Sequence, residues 1–158
     1  MAGEVVAALA ALEGPDRGIV RVALRSEGRL NAMSRAMWRQ LCSVFESVQR
    51  SADARCVLIE GEGGAFCAGG DISEYPAFRF DPRGLRDFHE NDVWGGLSAM
   101  LACDVPIVAC IDGACMGAGV EIASCCDIRI AATGARFGAP IARLGFPMAP
   151  REARLVAG

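Results

Sequence analysis

Residues 105–121 read VPIVACIDGACMGAGVE and combine an apolar run with closely spaced glycines. The run at 105–111 is short and fully apolar, which is typical of a buried strand. Asp112 and Gly113 end it, and the glycines that follow lead into a helix predicted over 117–126. A glycine-rich turn from a strand into a helix exposes unpaired backbone N–H groups. The stretch therefore predicts an α/β protein with a sharp strand-to-helix turn.

A second stretch has the same design. Residues 56–72 read CVLIEGEGGAFCAGGDI, with a buried-type strand at 56–59 and a second glycine turn at 65–72. We call 65–72 the first elbow and 113–121 the second elbow. If the elbows face one another, their N–H groups can point at one oxygen atom and stabilise negative charge there. Taken alone, each elbow is more often a structural turn than a catalytic one, because glycine is the usual residue for special backbone angles.

The rest of the chain alternates between strand and helix patterns. We predict a hairpin from 3–12 and 18–25, a helix from the cap Ser34 to about Arg50, and a second helix from 81 to about 103. Short strands follow at 128–132 and 135–138, and a last helix starts at Pro150. The second helix should bury Leu85, Phe88, Val93, Leu97, Met100 and Leu101. Helices should cover the sheets of a single domain over 1–158.

The composition excludes several classes of site. The 158 residues carry a net charge of −3, which argues against nucleic acid as a partner. All basic residues are arginine, so a Schiff-base lysine and a P-loop are both excluded. The one histidine, His89, excludes a three-histidine zinc site, and the eight cysteines never form a C-x-x-C pair. We therefore predict that the protein has no metal site.

The amino-terminal segment lacks the basic start and long apolar run of a secretory signal, and no stretch approaches a membrane span. These features predict a cytoplasmic protein with reduced cysteines and no membrane partner.

Glu121 is the candidate acid or base. Its neighbours in the predicted helix are apolar, and burial would raise the pKa of its carboxyl towards neutrality. An ion pair with Arg129 or Arg136 explains the residue equally well. A dinucleotide site is disfavoured because Ile122 occupies the place of the third glycine of that fingerprint.

Several of these segments, in this order and spacing, resemble the enoyl-CoA hydratase/isomerase (crotonase) superfamily. They are Leu30-Asn31-Ala32-Met33, the first elbow, 106–113, Gly117-Ala118-Gly119 and Cys126-Asp127-Ile128. The resemblance covers about 17–148. It implies a spiral of ββα units, assembly as a homotrimer or homohexamer, and acyl-CoA thioester substrates. Coenzyme A would enter as part of the substrate, with no separate cofactor.

The resemblance also implies site residues. The thioester carbonyl would bind in an oxyanion hole formed by the N–H groups of Ala68 and Ala118, and Glu121 matches the first of two catalytic glutamates. By analogy, Arg25 and Arg29 are the arginines best placed to meet the phosphates of coenzyme A, although solvated surface charge is the more common role for either arginine alone. The other substrate-binding positions are Ala65, Cys67, Gly69, Asp71 and Gly117.

The sequence departs from the family pattern in two ways. Ile141 follows Phe137-Gly138-Ala139-Pro140, where two-glutamate hydratases have their second glutamate. His89 and Glu90 are candidates for the missing group, with surface or packing roles as the alternative. The chain also ends where the family's C-terminal helical region would begin, so we expect either a fragment of a longer protein or a truncated relative with a more open pocket. A weak or inactive acyl-CoA-binding or assembly subunit, and a thioester hydrolase or decarboxylase, are the alternative functions.

Overall fold

The computed structural model describes residues 2–9, 14–145 and 148–158. Its main sheet has five strands in the order β1-β2-β3-β4-β6. They are β1 Glu4–Leu9, β2 Ile19–Arg25, β3 Cys56–Gly61, β4 Ile107–Ile111 and β6 Ile128–Ala131. β1 is antiparallel to β2, and all other neighbours are parallel. The predicted α/β class is confirmed, while residues 10–13 of the predicted hairpin lie outside the described ranges.

A second layer of parallel pairings accompanies the main sheet. β5 Ala114–Met116 pairs with β7 Arg136–Gly138. Isolated parallel bridges join Cys67 to Cys115 and Met33 to Gly70. The chain therefore repeatedly adds a strand to the main sheet and then an extended segment to the second layer. In β4–β5 and β6–β7 a helix follows, α4 Ala118–Ser124 and α5 Ile141–Leu144, as expected for ββα units. The sequence pattern missed β5, because three residues are too few to show a period.

Helix α1, Arg35–Arg50, has the predicted limits. Ser34 caps it, since the Ser34 side chain accepts a hydrogen bond of 3.2 Å from the Met37 N–H. Apolar side chains recur every three or four residues and form one buried face, which joins the main core with the sheet. The buried residues of this face are Met37, Trp38, Leu41, Phe45 and Val48.

The helix predicted over 81–103 consists of three consecutive segments. They are α2 Pro82–Asp87, a π-helical turn Phe88–Val93 and α3 Trp94–Leu101. Four of the six predicted inner side chains are buried, but Leu85 is 38% exposed and Leu101 is 49% exposed. A π turn has a different hydrogen-bond spacing from an α-helix, so one period of 3.6 residues does not describe both sides of it. The prediction was wrong at these two positions.

The Leu30-Asn31 motif has a structural explanation. Asn31 is buried with φ +59°, in the left-handed region that asparagine tolerates better than most residues. Its Oδ1 accepts from the Ser26 N–H at 2.9 Å, and its Nδ2 donates to the carbonyl oxygens of Glu62 (2.7 Å) and Ala65 (2.8 Å). One side chain thus ties the end of β2 to the start of the first elbow.

The last helix, α6 Pro150–Ala157, begins at the predicted proline. It packs against α4, the helix that carries Glu121. Within the described ranges, every helix is too short or too polar to cross a bilayer.

Candidate active site

The two elbows lie side by side. The Cys67 N–H donates to the Ala114 carbonyl oxygen at 2.9 Å, and the Met116 N–H donates to the Cys67 carbonyl oxygen at 2.8 Å. Gly69 (φ +119°) and Gly117 (φ +49°) then bend the two chains together, and a Cβ built on Gly117 would lie 3.6 Å from the Gly69 Cα. Glycine adopts positive φ angles more readily than other residues, which explains the choice of glycine at positions 69 and 117.

A pocket of about 310 Å³ is bordered by both elbows. Five predicted site residues line it: Ala68, Gly69, Gly117, Ala118 and Glu121. Apolar side chains form most of the remaining wall, including Trp38, Ile72, Val93, Met116, Ile141 and Met148. A largely apolar pocket with a few convergent polar groups is the usual form of a small-molecule site.

One of the two predicted backbone donors, the Ala68 N–H, is not free. The Ala68 N–H donates to the Leu30 carbonyl oxygen at 2.9 Å, so it is not available to a ligand. Within the described part of the chain, the N–H groups of Gly70 and Ala118 have no acceptor, and both residues line the pocket. The Met33 bridge uses the Gly69 carbonyl and the Asp71 N–H, which leaves the intervening Gly70 N–H unused.

The Glu121 carboxyl is buried in this pocket, with only 8% of the residue exposed. Burial raises its pKa to about 7, and the nearby Glu152 carboxyl adds to the rise while His89 opposes it. The alternative ion pair is not observed, because Arg129 instead donates to the carbonyl oxygens of Ala123 and Cys126. In the described ranges the Glu121 carboxyl has neither a hydrogen bond nor an ion pair. Its protonation state therefore changes near neutral pH.

Five predicted substrate-binding residues do not line the pocket: Arg25, Arg29, Ala65, Cys67 and Asp71. Arg25 pairs with Glu62 (2.5 Å) and Glu4 (3.0 Å). Arg29 pairs with Asp71, which also caps the 3₁₀ helix Ile72–Ala77 through the Ser73 N–H.

Ala65 and Cys67 are buried beneath the first elbow. Burial raises the pKa of the Cys67 thiol to about 12, so this cysteine is protonated at neutral pH and is a poor nucleophile.

Glu152 is a pocket residue that the sequence analysis missed. It is 3% exposed on α6, and its Oε1 lies 3.4 Å from His89 Nδ1. Its Oε2 accepts from the Ala149 N–H at 3.1 Å. A glutamate at the third position of a helix beginning with proline usually caps an exposed first turn, so the pattern did not indicate burial. Glu90 does not line the pocket and pairs with Arg151 at 3.0 Å.

Within 2–9, 14–145 and 148–158, no group of three or more histidine, cysteine, aspartate or glutamate side chains could hold a metal ion.

Comparison with known proteins finds relatives that match most of this chain. The enoyl-CoA hydratase/isomerase family model matches residues 14–154. A "Probable enoyl-CoA hydratase" of Mycobacterium tuberculosis is 32% identical over 130 residues, covering 82% of this chain and 50% of the relative. The human mitochondrial Delta(3,5)-Delta(2,4)-dienoyl-CoA isomerase is 31% identical over 132 residues, covering 75% of this chain and 39% of the relative. The chain thus spans half or less of the length of these relatives.

Solved structures show the same fold. An enoyl-CoA hydratase/carnithine racemase from Magnetospirillum magneticum superposes with a TM-score of 0.85 at 33% identity, covering 89% of this chain and 52% of that one. Pseudomonas aeruginosa AtuE superposes with a TM-score of 0.84 at 30% identity, covering 97% of this chain and 57% of that one. The predicted crotonase-like architecture is therefore confirmed.

Proposed function

This chain belongs to the enoyl-CoA hydratase/isomerase family, and we propose from that premise that it acts on acyl-CoA thioesters as a hydratase or isomerase. One observation carries the proposal. The backbone N–H groups of Gly70 and Ala118 have no acceptor among the residues that the structure describes, and they border the same pocket as the Glu121 carboxyl. Gly70 replaces Ala68 as the first donor, because the Ala68 N–H is already bonded to Leu30.

The two donors would bind the thioester carbonyl oxygen. Removing a proton from C2, or adding water at C3 of a 2-enoyl thioester, forms an enolate whose charge collects on this oxygen. Fixed N–H donors stabilise that charge without reorganising, and each contributes roughly 3–4 kcal/mol in comparable oxyanion holes. The apolar wall of the pocket would strengthen both hydrogen bonds by excluding water.

Glu121 would transfer the proton. In isomerisation its carboxylate takes a proton from C2 of a 3-enoyl thioester and returns it to C4 as the double bond moves. In hydration its carboxylic acid donates a proton to C2 of the enolate formed when the water oxygen bonds to C3. A pKa of about 7 makes both forms available at neutral pH.

Arg25 and Arg29 remain the proposed partners of the coenzyme A phosphates. Their side chains are 44% and 52% exposed, so both are accessible to a ligand at the surface. Binding would require phosphate oxygens to compete with Glu4, Glu62 and Asp71 for the guanidinium groups.

The test is incubation with crotonyl-CoA while the absorbance of the conjugated thioester is followed and products are identified by mass spectrometry. We expect gain of one water, and loss of at least about 100-fold in rate for Glu121→Gln. Glu46→Gln, an exposed glutamate on α1, is the matched control and should react like the wild type. A 3-enoyl-CoA substrate tests isomerisation. Binding of these substrates without turnover would overturn the proposal in favour of a binding subunit, and release of free CoA thiol would do so in favour of a hydrolase. A decarboxylase would instead release carbon dioxide from a CoA ester that carries a second carboxyl group, without hydrating crotonyl-CoA.

A further inference from the structure

Three ionisable side chains from different parts of the fold line the pocket. Glu121 lies on α4, His89 on the π-helical turn, and Glu152 on α6. π-Helical turns are uncommon and occur frequently at functional sites. The edge of the Phe88 ring packs against the imidazole, with ring centroids 5.1 Å apart, which helps to fix its position.

The two carboxyl groups have opposite environments. Glu152 has a partner at each oxygen, His89 Nδ1 near Oε1 and the Ala149 N–H on Oε2. These two contacts fix the orientation of the Glu152 carboxyl in the pocket. Glu121 has no such donor in the described ranges, and burial favours its protonated form. Two carboxyl groups of one site that have different surroundings can take different roles in proton transfer.

We propose that Glu152, positioned by His89, is the second proton-transfer group of this pocket and acts on the attacking water. This inference rests on the proposed hydratase activity. The water oxygen forms a bond to C3 while one of its O–H bonds breaks, and that proton passes to the Glu152 carboxylate. The π electrons move onto the thioester oxygen as the enolate, which then takes a proton at C2 from Glu121. After product release, the proton on Glu152 returns to Glu121 through solvent, so the net change is addition of one water.

Other titratable groups act on Glu152 and His89 from the neighbouring elements. Glu121 approaches from α4 and Tyr75 from the 3₁₀ helix, where burial raises the pKa of its phenol to about 12. Glu90 also acts on His89 from the same turn, although its carboxylate is paired with Arg151. The hydrogen bond to Glu152 raises the pKa of His89, so the protonated imidazole persists to higher pH than in a free histidine.

The experiment measures two reactions in each variant. Hydration of crotonyl-CoA needs both carboxyl groups, whereas exchange of a C2 proton of butyryl-CoA for deuterium in D₂O needs only Glu121 and the two N–H donors. We expect Glu152→Gln to lower the hydration rate about 100-fold or more while changing exchange by only a few fold. Glu46→Gln, which changes an exposed glutamate on α1 that does not line the pocket, is the control and should change neither reaction.

His89 is tested as a positioning residue. We expect His89→Leu, which removes the ring N–H near Glu152, to lower kcat for hydration about tenfold with little change in KM, and to remove the limb of the pH profile that His89 causes. His89→Asn keeps an N–H donor near Glu152 and should restore part of kcat without restoring that limb.

Several results would overturn the inference. Wild-type hydration rates in Glu152→Gln would do so and would leave the proposed function intact. Equal losses of hydration and exchange in Glu152→Gln would show a general disturbance of the pocket instead of a separate base. If Glu152→Gln fails to fold, as judged by circular dichroism, the same two reactions are measured in Glu152→Asp and His89→Leu. A wild-type chain without hydration or exchange would overturn the proposed function and this inference together.

Discussion

The backbone of Cys67 pairs with that of Cys115 as a parallel-strand neighbour, although the two residues belong to different ββα units. The hydrogen bonds of this pairing, at 2.9 and 2.8 Å, align the segments that continue into Gly69-Gly70 and Gly117-Ala118. Two N–H groups that are distant in the chain thereby border one pocket. The chemistry that we propose depends on this pairing.

Glu121 makes stability depend on pH in a defined direction. Its pKa is about 7 in the folded protein against 4.5 in the unfolded chain, so the native state binds this proton more tightly. The free energy of unfolding should therefore fall as pH rises from 4.5 towards 7. Glu121→Gln cannot ionise, so its stability relative to the wild type should grow over this window by on the order of 3 kcal/mol.

Urea unfolding of both proteins at about pH 5 and about pH 8 measures this difference. Glu46→Gln, which changes an exposed carboxyl, serves as the reference and should show no comparable trend. A stability difference between Glu121→Gln and the wild type that is the same at both pH values contradicts the assignment.

Ala118→Pro tests whether the backbone N–H of Ala118 is a donor to the substrate. Ala118 is the first residue of α4, a position where proline is favoured, and its N–H has no partner in the described structure. The substitution should therefore leave thermal stability nearly unchanged but remove one donor to the thioester oxygen. We expect kcat to fall about 100- to 1,000-fold.

Ala118→Gly keeps the N–H and separates loss of the donor from the change in side chain. Its kcat should fall far less than that of the proline variant. Equal kcat values in the two variants would remove Ala118 from the oxyanion hole.

Asn31→Ala tests the structural role of the motif before the first elbow. The substitution leaves the Ser26 N–H and the carbonyl oxygens of Glu62 and Ala65 without their buried partner. We expect the free energy of unfolding to fall by about 2–4 kcal/mol. Asn91→Ala removes an exposed asparagine with one bond to Asp87 and should cost less than about 0.5 kcal/mol. Chemical denaturation of both variants measures these two losses in the free energy of unfolding. Similar losses in the two variants would refute the structural role of Asn31.

Two neighbouring glycines in α3 should respond oppositely to alanine. A Cβ on Gly95 would meet no atom within 4 Å, whereas one on Gly96 would lie 3.0 Å from Trp38 Cε3 and 3.1 Å from the Trp38 carbonyl oxygen. Gly95→Ala should raise the free energy of unfolding by about 0.5–1 kcal/mol, because alanine favours the helix. Gly96→Ala should lower it by about 1–3 kcal/mol through crowding between α1 and α3. Changes of the same sign in thermal melts would contradict this packing.

Local sequence patterns were sufficient to predict most of the helices and strands. The Ser34 cap and the apolar repeat gave α1 its limits, and the proline at 150 marked the start of α6. The two elbows and Glu121 were also recognisable, because glycine spacing and an isolated acid among apolar residues are visible in the letters themselves. The same approach failed at Leu85 and Leu101, where the π turn interrupts the period.

Propensities, caps and hydrophobic periods act between near neighbours, so the amino-acid order alone could specify the helices, the strands and the turns that connect them. Which N–H groups remain free could not be foreseen, because Ala68 finds its acceptor in Leu30, in another unit of the spiral. Glu152 meets His89 only when α6 packs onto the core, a contact between residues far apart in the chain. Burial and hydrogen bonding of this kind depend on long-range packing, and they determine the protonation and orientation of the groups in the pocket.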